Sequence, residues 1–161
     1  MNKVALLELA SLLDDMEPKR FDMRTWRMPV RGKPGFVSDE QLINDTNTVA
    51  CPVGWGCLLE SWKQVGLFID RFEVKAEHLS SPLSTPHLMS LVRTRLNDDL
   101  DSYEAVDYSL DLYPGTASVL FDPDNYADGD LTEAWVVADR IREICNLEEG
   151  DIMNYVVSYS D

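Results

Sequence analysis

Residues 51–65, CPVGWGCLLESWKQV, read as the helix around which the rest of the chain is arranged. Pro52 suits a first helical position, where its missing N–H costs nothing, and Gly66 suits the residue just past a helix end. Cys51, Trp55, Leu58, Leu59, Trp62 and Val65 recur with the 3.6-residue period, so one broad apolar stripe carries two tryptophans. Such a stripe faces a core, and it predicts one buried helix over 51–65.

Upstream, Leu6, Leu9, Ala10 and Leu13 predict a helix from Asn2 or Lys3 to about Met16, ended by Pro18. Residues 17–47 read as a long irregular connection around FDMRTW, a length that marks functional segments in compact domains. Downstream, LFIDRFEVK at 67–75 keeps Phe68, Phe72 and Val74 on one parity, a strand signal with Asp70 as its exception. Thr85-Pro86 predicts the start of a helix with Leu88, Leu91, Val92, Leu96 and Leu100 inward. Ser102 reads as the cap of a shorter helix aligning Val106, Leu110 and Tyr113, stopped by Pro114-Gly115. TASVLF at 116–121 stays open between helix and strand. Asp130 and Glu133 resemble a capping box for a helix through Cys145, with Leu131, Ala134, Trp135, Ala138, Ile141 and Ile144 as its inner face. The tail DIMNYVVSY fits a strand or a short helix. The fold class is mainly α, a small single-domain helical bundle with a minor β component.

The chain of 161 residues, 45% hydrophobic, fits one domain over 1–161, and its four Trp, five Phe and six Tyr can fill a core. Its apolar runs are too short to span a membrane. Glu8, Asp14 and Asp15 interrupt the stretch where a signal peptide needs apolar residues, so a cytoplasmic protein is expected. Three cysteines, Cys51, Cys57 and Cys145, are not a secreted disulfide framework. On a single helix Cys51 and Cys57 would stand about 9 Å apart, beyond the roughly 7 Å that a disulfide spans. Buried free thiols are expected.

Charge divides the chain. Residues 1–95 hold twelve basic and twelve acidic residues, and 96–161 hold seventeen acids with only Arg140 and Arg142, so the whole −15 sits in the last part. The first part is thus a charge-neutral helical part and the second an acidic helical part. Within 18–36, six basic residues face the single Asp22, a local +5 in a Pro- and Gly-rich loop. An acidic surface solubilises, and it also competes for basic surfaces that bind nucleic acid, where long-range charge dominates affinity. Nucleic acid itself is repelled by the acidic half. The opposite charges of the basic loop are expected to lean on the acidic half, or to support self-association through 18–36.

FDMRTW at 21–26, followed by NTVACPVGWGCLL at 47–59, resembles an uncharacterised family of small phage and bacterial proteins. Its members carry a leucine-rich first helix, an F-D-M-x-x-W segment and a C-G-T-x-x-C-x-x-G-W element opening a helix. Phe21, Asp22, Met23 and Trp26 match the first element, and Thr48, Cys51, Gly54 and Trp55 match the second. Asn47 stands where the first Cys-Gly begins, so one family cysteine is missing. The resemblance covers about residues 6–66 and brings no activity; it implies a phage or mobile-element origin and an accessory role. The motif also has a structural reading, with Asp22 or Thr48 capping a helix start and Phe21, Met23 and Trp26 stapling the loop to the core.

Candidate chemistry is sparse. DPDNYADGDLTE at 122–133 approaches a calcium loop. From Asp122 it supplies Asp124 and Glu133 but puts Tyr126 and Ala127 at positions five and six. From Asp124 it places Asp128, Gly129 and Asp130 but puts Tyr126 at three and Trp135 at twelve. A Cys/His hydrolase would pair Cys57 with His78 or His87 at a spacing that matches no signature. The three cysteines and a His offer no C-x-x-C pair for zinc, and no phosphate-cradling loop is present. No cofactor, metal or catalytic residue is therefore assigned. The leading expectation is a non-enzymatic, acidic accessory protein that binds and inhibits a basic, nucleic-acid-binding or defence protein of the host, by DNA mimicry. Its partner face would be Asp98, Asp99, Asp101, Glu104, Asp107, Asp111, Asp122, Asp124, Asp128 and Asp130. The alternatives are a small-ligand or calcium module on the 122–133 loop and, third, the hydrolase.

Overall fold

The computed structural model describes residues 1–30, 35–74 and 87–159. In chain order these form α1 (Lys3–Asp14), β1 (Met28–Pro29), α2 (Asp39–Asn44), β2 (Thr48–Val49), α3 (Pro52–Gly56), α4 (Glu60–Gln64), β3 (Leu67–Val74), β4 (His87–Thr94), α5 (Ser102–Ser109), α6 (Thr116–Phe121), α7 (Ala134–Asn146) and α8 (Glu149–Val157). Helices dominate, and the two sheets are two-stranded antiparallel pairs, β1 with β2 and β3 with β4. The fold is mainly α with a minor β component, as the periodicity implies.

The core is built on α1 and α7. Asn2 caps α1 by accepting a hydrogen bond from the Ala5 N–H at 3.1 Å, and the helix buries Ala5, Leu6, Leu9, Ala10 and Leu13. Those residues share one cluster with Val137, Ala138, Ile141, Ile144 and Cys145 of α7. Trp62 is fully buried in the same cluster, donates its indole N–H to the Ala5 carbonyl at 3.1 Å and lies 6.3 Å from the Phe121 ring. The β3–β4 hairpin runs in register from Leu67↔Thr94 to Val74↔His87 and packs on α5, where the buried Ser109 hydroxyl donates to Thr94 at 2.7 Å. The tail forms α8, which covers Val119 with Ile152 and Val156.

Five local expectations are corrected. The helix over 51–65 is two short helices, α3 and α4, separated at Cys57–Leu59, with Leu59 extended. On a continuous helix residues 56 and 62 would point about 120° apart; the break lets the Trp62 ring fold back over Gly56, where an added Cβ would lie 2.8 Å from it. The helix expected from Thr85-Pro86 is a strand over its described part, and Thr85-Pro86 themselves lie outside the described residues. Its buried parity is Ser90, Val92 and Thr94, while Leu91 is half-buried on the other face. The leucine spacing that suggested a helix therefore did not mark the inner face. Trp135 is exposed, and its place in the α7 inner face belongs to Val137. Finally, Asp130 and Glu133 form no capping box: Glu133 occupies the cap position of α7 without a side-chain bond, and Asp101, not Ser102, precedes α5, also without one. Among the described residues no helix is long and apolar enough to cross a membrane.

Candidate functional site

The two stretches of the motif meet in space. Phe21 bridges Ala50 in parallel, the Asp22 N–H donates to the Ala50 carbonyl at 3.2 Å, and the Cys51 N–H donates to the Thr25 carbonyl at 2.7 Å. β1 then pairs with β2 through Met28↔Val49 and Pro29↔Thr48. Gly54 lies so close beneath residue 26 that a Cβ there would stand 1.8 Å from the Trp26 carbonyl oxygen. Only glycine permits that approach. The Trp55 indole donates to the Arg20 carbonyl at 3.1 Å, and the Arg20 guanidinium stands 5.0 Å above the Trp55 ring. Arg27 has a wholly buried side chain; its Nε and Nη2 donate to the Gly54 carbonyl at 3.0 and 2.9 Å, and its Nη1 donates to Asp39.

Phe21 and Met23 are buried, and Trp26 packs edge-on against Tyr103 at 5.2 Å. The expectation that Asp22 or Thr48 caps a helix start is corrected. The Cys51 sulfur caps α3, accepting from the Gly54 N–H at 3.4 Å. The Thr48 hydroxyl instead donates to the Asp45 carbonyl at 2.7 Å. Asp22 accepts from the Arg24 N–H at 3.0 Å and from its guanidinium at 2.7 and 2.8 Å. Burial opposes the charge of Asp22, but the Arg24 bonds outweigh it and hold the carboxyl below its usual range.

The cysteines are free and buried. Burial pushes the Cys51 and Cys57 thiols up to about 12, so neither supplies thiolate at neutral pH. His78, a proposed partner of Cys57, lies outside the described residues. The 122–133 loop is a turn: Asp122 accepts from the Asp124 N–H at 3.0 Å, and Pro123–Asn125 form a 3-10 turn. Among the described residues no three His, Cys, Asp or Glu side chains converge as metal ligands.

The cations of the 18–36 stretch are engaged close by in sequence. Lys19 pairs with Glu17 at 2.9 Å, Arg24 with Asp22, and Arg27 with Asp39, while Arg20 donates to the Leu42 carbonyl. These partners are not the acidic half on which the loop was expected to lean, although Arg24 also feels Asp128. Arg31 and Lys33 lie outside the described residues.

The acidic residues sort into two groups. Asp98, Asp99, Asp101, Glu104, Asp124 and Asp128 are exposed and Asp130 is half-buried, and none of these side chains has an ion pair among the described residues. The two cations of this half are engaged elsewhere. Arg140 donates to the Val119 and Asn125 carbonyls and stacks 3.7 Å over Tyr126, and Arg142 pairs with Asp14 and Asp139. Asp107 departs from the expected surface role. It is half-buried and accepts from the Gly115 and Ala117 N–H groups, both at 2.7 Å, so it caps the start of α6 from α5. Burial leads in pushing its carboxyl up to about 6, against those two bonds. Asp111 accepts from the Met1 amino group at 3.0 Å, and its φ of 52° turns the chain out of α5.

Beside these acids lies a surface groove of about 940 Å³ lined by Leu96, Leu100, Tyr103, Glu104, Asp107, Tyr108, Asp111, Leu112, Pro114, Gly115 and Ser118. Leu96 is 58% and Tyr108 54% exposed. Among the described residues no basic side chain lines it, and the Met1 amino group pairs with Asp111 at its edge. The sequence reading placed Leu96 and Leu100 inside a helix and so missed this surface; the available signal was large apolar residues interleaved with acids in LNDDLDSYEAVDYSLDLYP. No family model, curated protein or solved structure matches the chain.

Proposed function

We propose that this is a non-enzymatic accessory protein, phage-encoded and acting in the host cytoplasm, that binds and inhibits a basic host protein through its acidic half. The target class is nucleic-acid-binding proteins, defence nucleases included, with carboxylates standing in for phosphates. One observation carries the reading: Asp98, Asp99, Asp101, Glu104, Asp124, Asp128 and Asp130 have no ion pair among the described residues, while Arg140 and Arg142 are turned to carbonyls, rings and other acids. Unpaired carboxylates keep their long-range field, which attracts a cationic surface and is screened by salt.

The test immobilises the chain in a bacterial host lysate at about 0.05 M and about 0.5 M salt, spanning strong and weak screening. A second bait has those seven acids changed to Asn or Gln. The expected result is a nucleic-acid-binding protein that is held at low salt, released by high salt and by duplex DNA, and absent from the neutralised bait. A partner retained equally by both baits at high salt would overturn the reading.

A further inference from the structure

The groove between the β4–α5 turn and the start of α6 adds shape to this charge. Glu104, Tyr108 and Asp111 follow at four- and three-residue steps along α5 and its end, so two carboxylates flank an exposed aromatic ring on one face. Leu96, Leu100 and Leu112 make the apolar floor beside them. Asp111 already pairs with the Met1 amino group, which leaves Glu104 without an ion pair among the described residues, and an apolar furrow with such a rim is matched by a ligand with apolar side chains along one stripe and cations beside it. Nucleic acid and anionic lipid surfaces fail on charge, and a purely cationic surface leaves the leucines in water.

We propose that this groove seats a cationic amphipathic helix presented by the partner protein, with apolar residues at i, i+4 and i+7 over Leu96, Tyr108 and Leu112 and with Lys or Arg facing Glu104. The proposal rests on the reading of a basic partner given above and specifies how that partner is recognised. Helix-in-groove docking takes its affinity from the buried stripe and its register from the charges. The groove lies at the Leu67–Thr94 end of the hairpin, the end away from the Val74–His87 pair.

The probe is a fluorescein-labelled Leu/Lys peptide of about 15 residues, long enough to hold a helix on binding, compared with a Ser/Lys peptide of equal charge. Anisotropy at about 0.15 M salt is read on the full chain, on the Leu96→Ser/Tyr108→Ser variant and on the Asp124→Asn/Asp128→Asn/Asp130→Asn variant. The Leu/Lys peptide is expected to bind at least about tenfold tighter than the Ser/Lys peptide. The groove variant should lose about tenfold, more than the three-acid variant, which removes long-range charge but no contact in the groove. Backbone amide shifts in the unmodified chain should move at residues 96–118, which tests the site without any substitution. Equal binding of both peptides, weakened only by the three-acid variant, would remove the groove while leaving the basic-partner reading intact. No binding of either peptide at about 0.05 M salt would sink both. A concentration-dependent dimer of the unmixed chain, abolished by the groove variant, would give the groove to a second copy and overturn the proposal.

Discussion

Residues 17–64 and residues 96–133 both carry charge, and they use it in opposite ways. In the first stretch three arginines are parts of the fold: Arg27 is buried on the Gly54 carbonyl, Arg20 covers Trp55, and Arg24 closes on Asp22. In the second, most carboxylates point to solvent without an ion pair among the described residues, while Asp111 holds the Met1 amino group and Asp107 joins two helices. A guanidinium with five donors can satisfy several carbonyls at once, so it serves as an interior tie. A carboxylate has no donors when ionised and loses much on burial unless N–H groups converge on it. Sequence charge therefore overstates the positive patch and describes the negative one more faithfully.

That contrast is tested first where the effect is largest. Trp62→Ala is expected to lower the unfolding free energy by about 3–5 kcal/mol, since it removes a fully buried ring together with its bond to Ala5. Urea denaturation measures this, and an unchanged midpoint would show that the ring lies outside the cooperative core. Arg27→Met should cost about 2–4 kcal/mol, because the Gly54 carbonyl loses both donors and Asp39 loses its nearer cation. Lys63, 3.3 Å from Asp39, compensates only in part. A stable Arg27→Met protein would mean that the first stretch treats its charges as loosely as the second.

Helix content was legible because amphipathic periodicity survives for α1 and α7, where Leu6, Leu9 and Leu13 or Ala138 and Ile141 face one neighbour throughout. It failed where packing reverses the chain. The apolar stripe of 51–65 was real, but Gly54 and Gly56 are there for contact with Trp26 and Trp62, and that contact needs a break no periodicity shows. Strand β4 hid behind leucines because two of its three described buried positions, Ser90 and Thr94, are satisfied by hydrogen bonds and only Val92 by hydrophobicity. Ser38 and Gln41 form a capping box on α2, whereas Asp130 and Glu133 have the same spacing and form none, so the spacing alone does not decide. Of the candidate site, the sequence indicated which residues are acidic. It did not indicate that Asp107 is a cap, nor that Leu96 and Tyr108 stand exposed beside the acids.

Asp107 separates the two uses of charge through pH. Its carboxyl titrates near 6 in the folded chain against an ordinary 3.8, so the native state holds the proton more tightly than the unfolded one. The stability this provides is complete below about pH 4 and is lost as pH rises through about 6. With allowance for partial exposure, the wild type should lose about 1–2 kcal/mol relative to Asp107→Asn between pH 4.5 and pH 7.5. Thermal unfolding of both proteins across that range checks the sign. A wild type that gains on the variant as pH rises would show that the Gly115 and Ala117 N–H groups outweigh burial and that Asp107 is a charged cap.

The smallest effect is the one that most sharply separates the two stretches. Changing Asp98, Asp99 and Asp101 to Asn and Glu104 to Gln removes four exposed carboxylates that hold no ion pair among the described residues. Neighbouring like charges repel, so their removal should raise stability slightly at low salt. Asp101 and Glu104 stand at the start of α5, where a negative charge favours the helix dipole, and their loss returns a few tenths of a kcal/mol. The net change should stay within about 0.5 kcal/mol and shrink further at about 0.5 M salt, where repulsion and dipole effects are both screened. Binding to a cationic probe should fall steeply in the same variant. A protein destabilised by several kcal/mol would place these acids with Asp107 and Arg27 as ties within the fold, and the acidic half would then have no charge set aside for a partner.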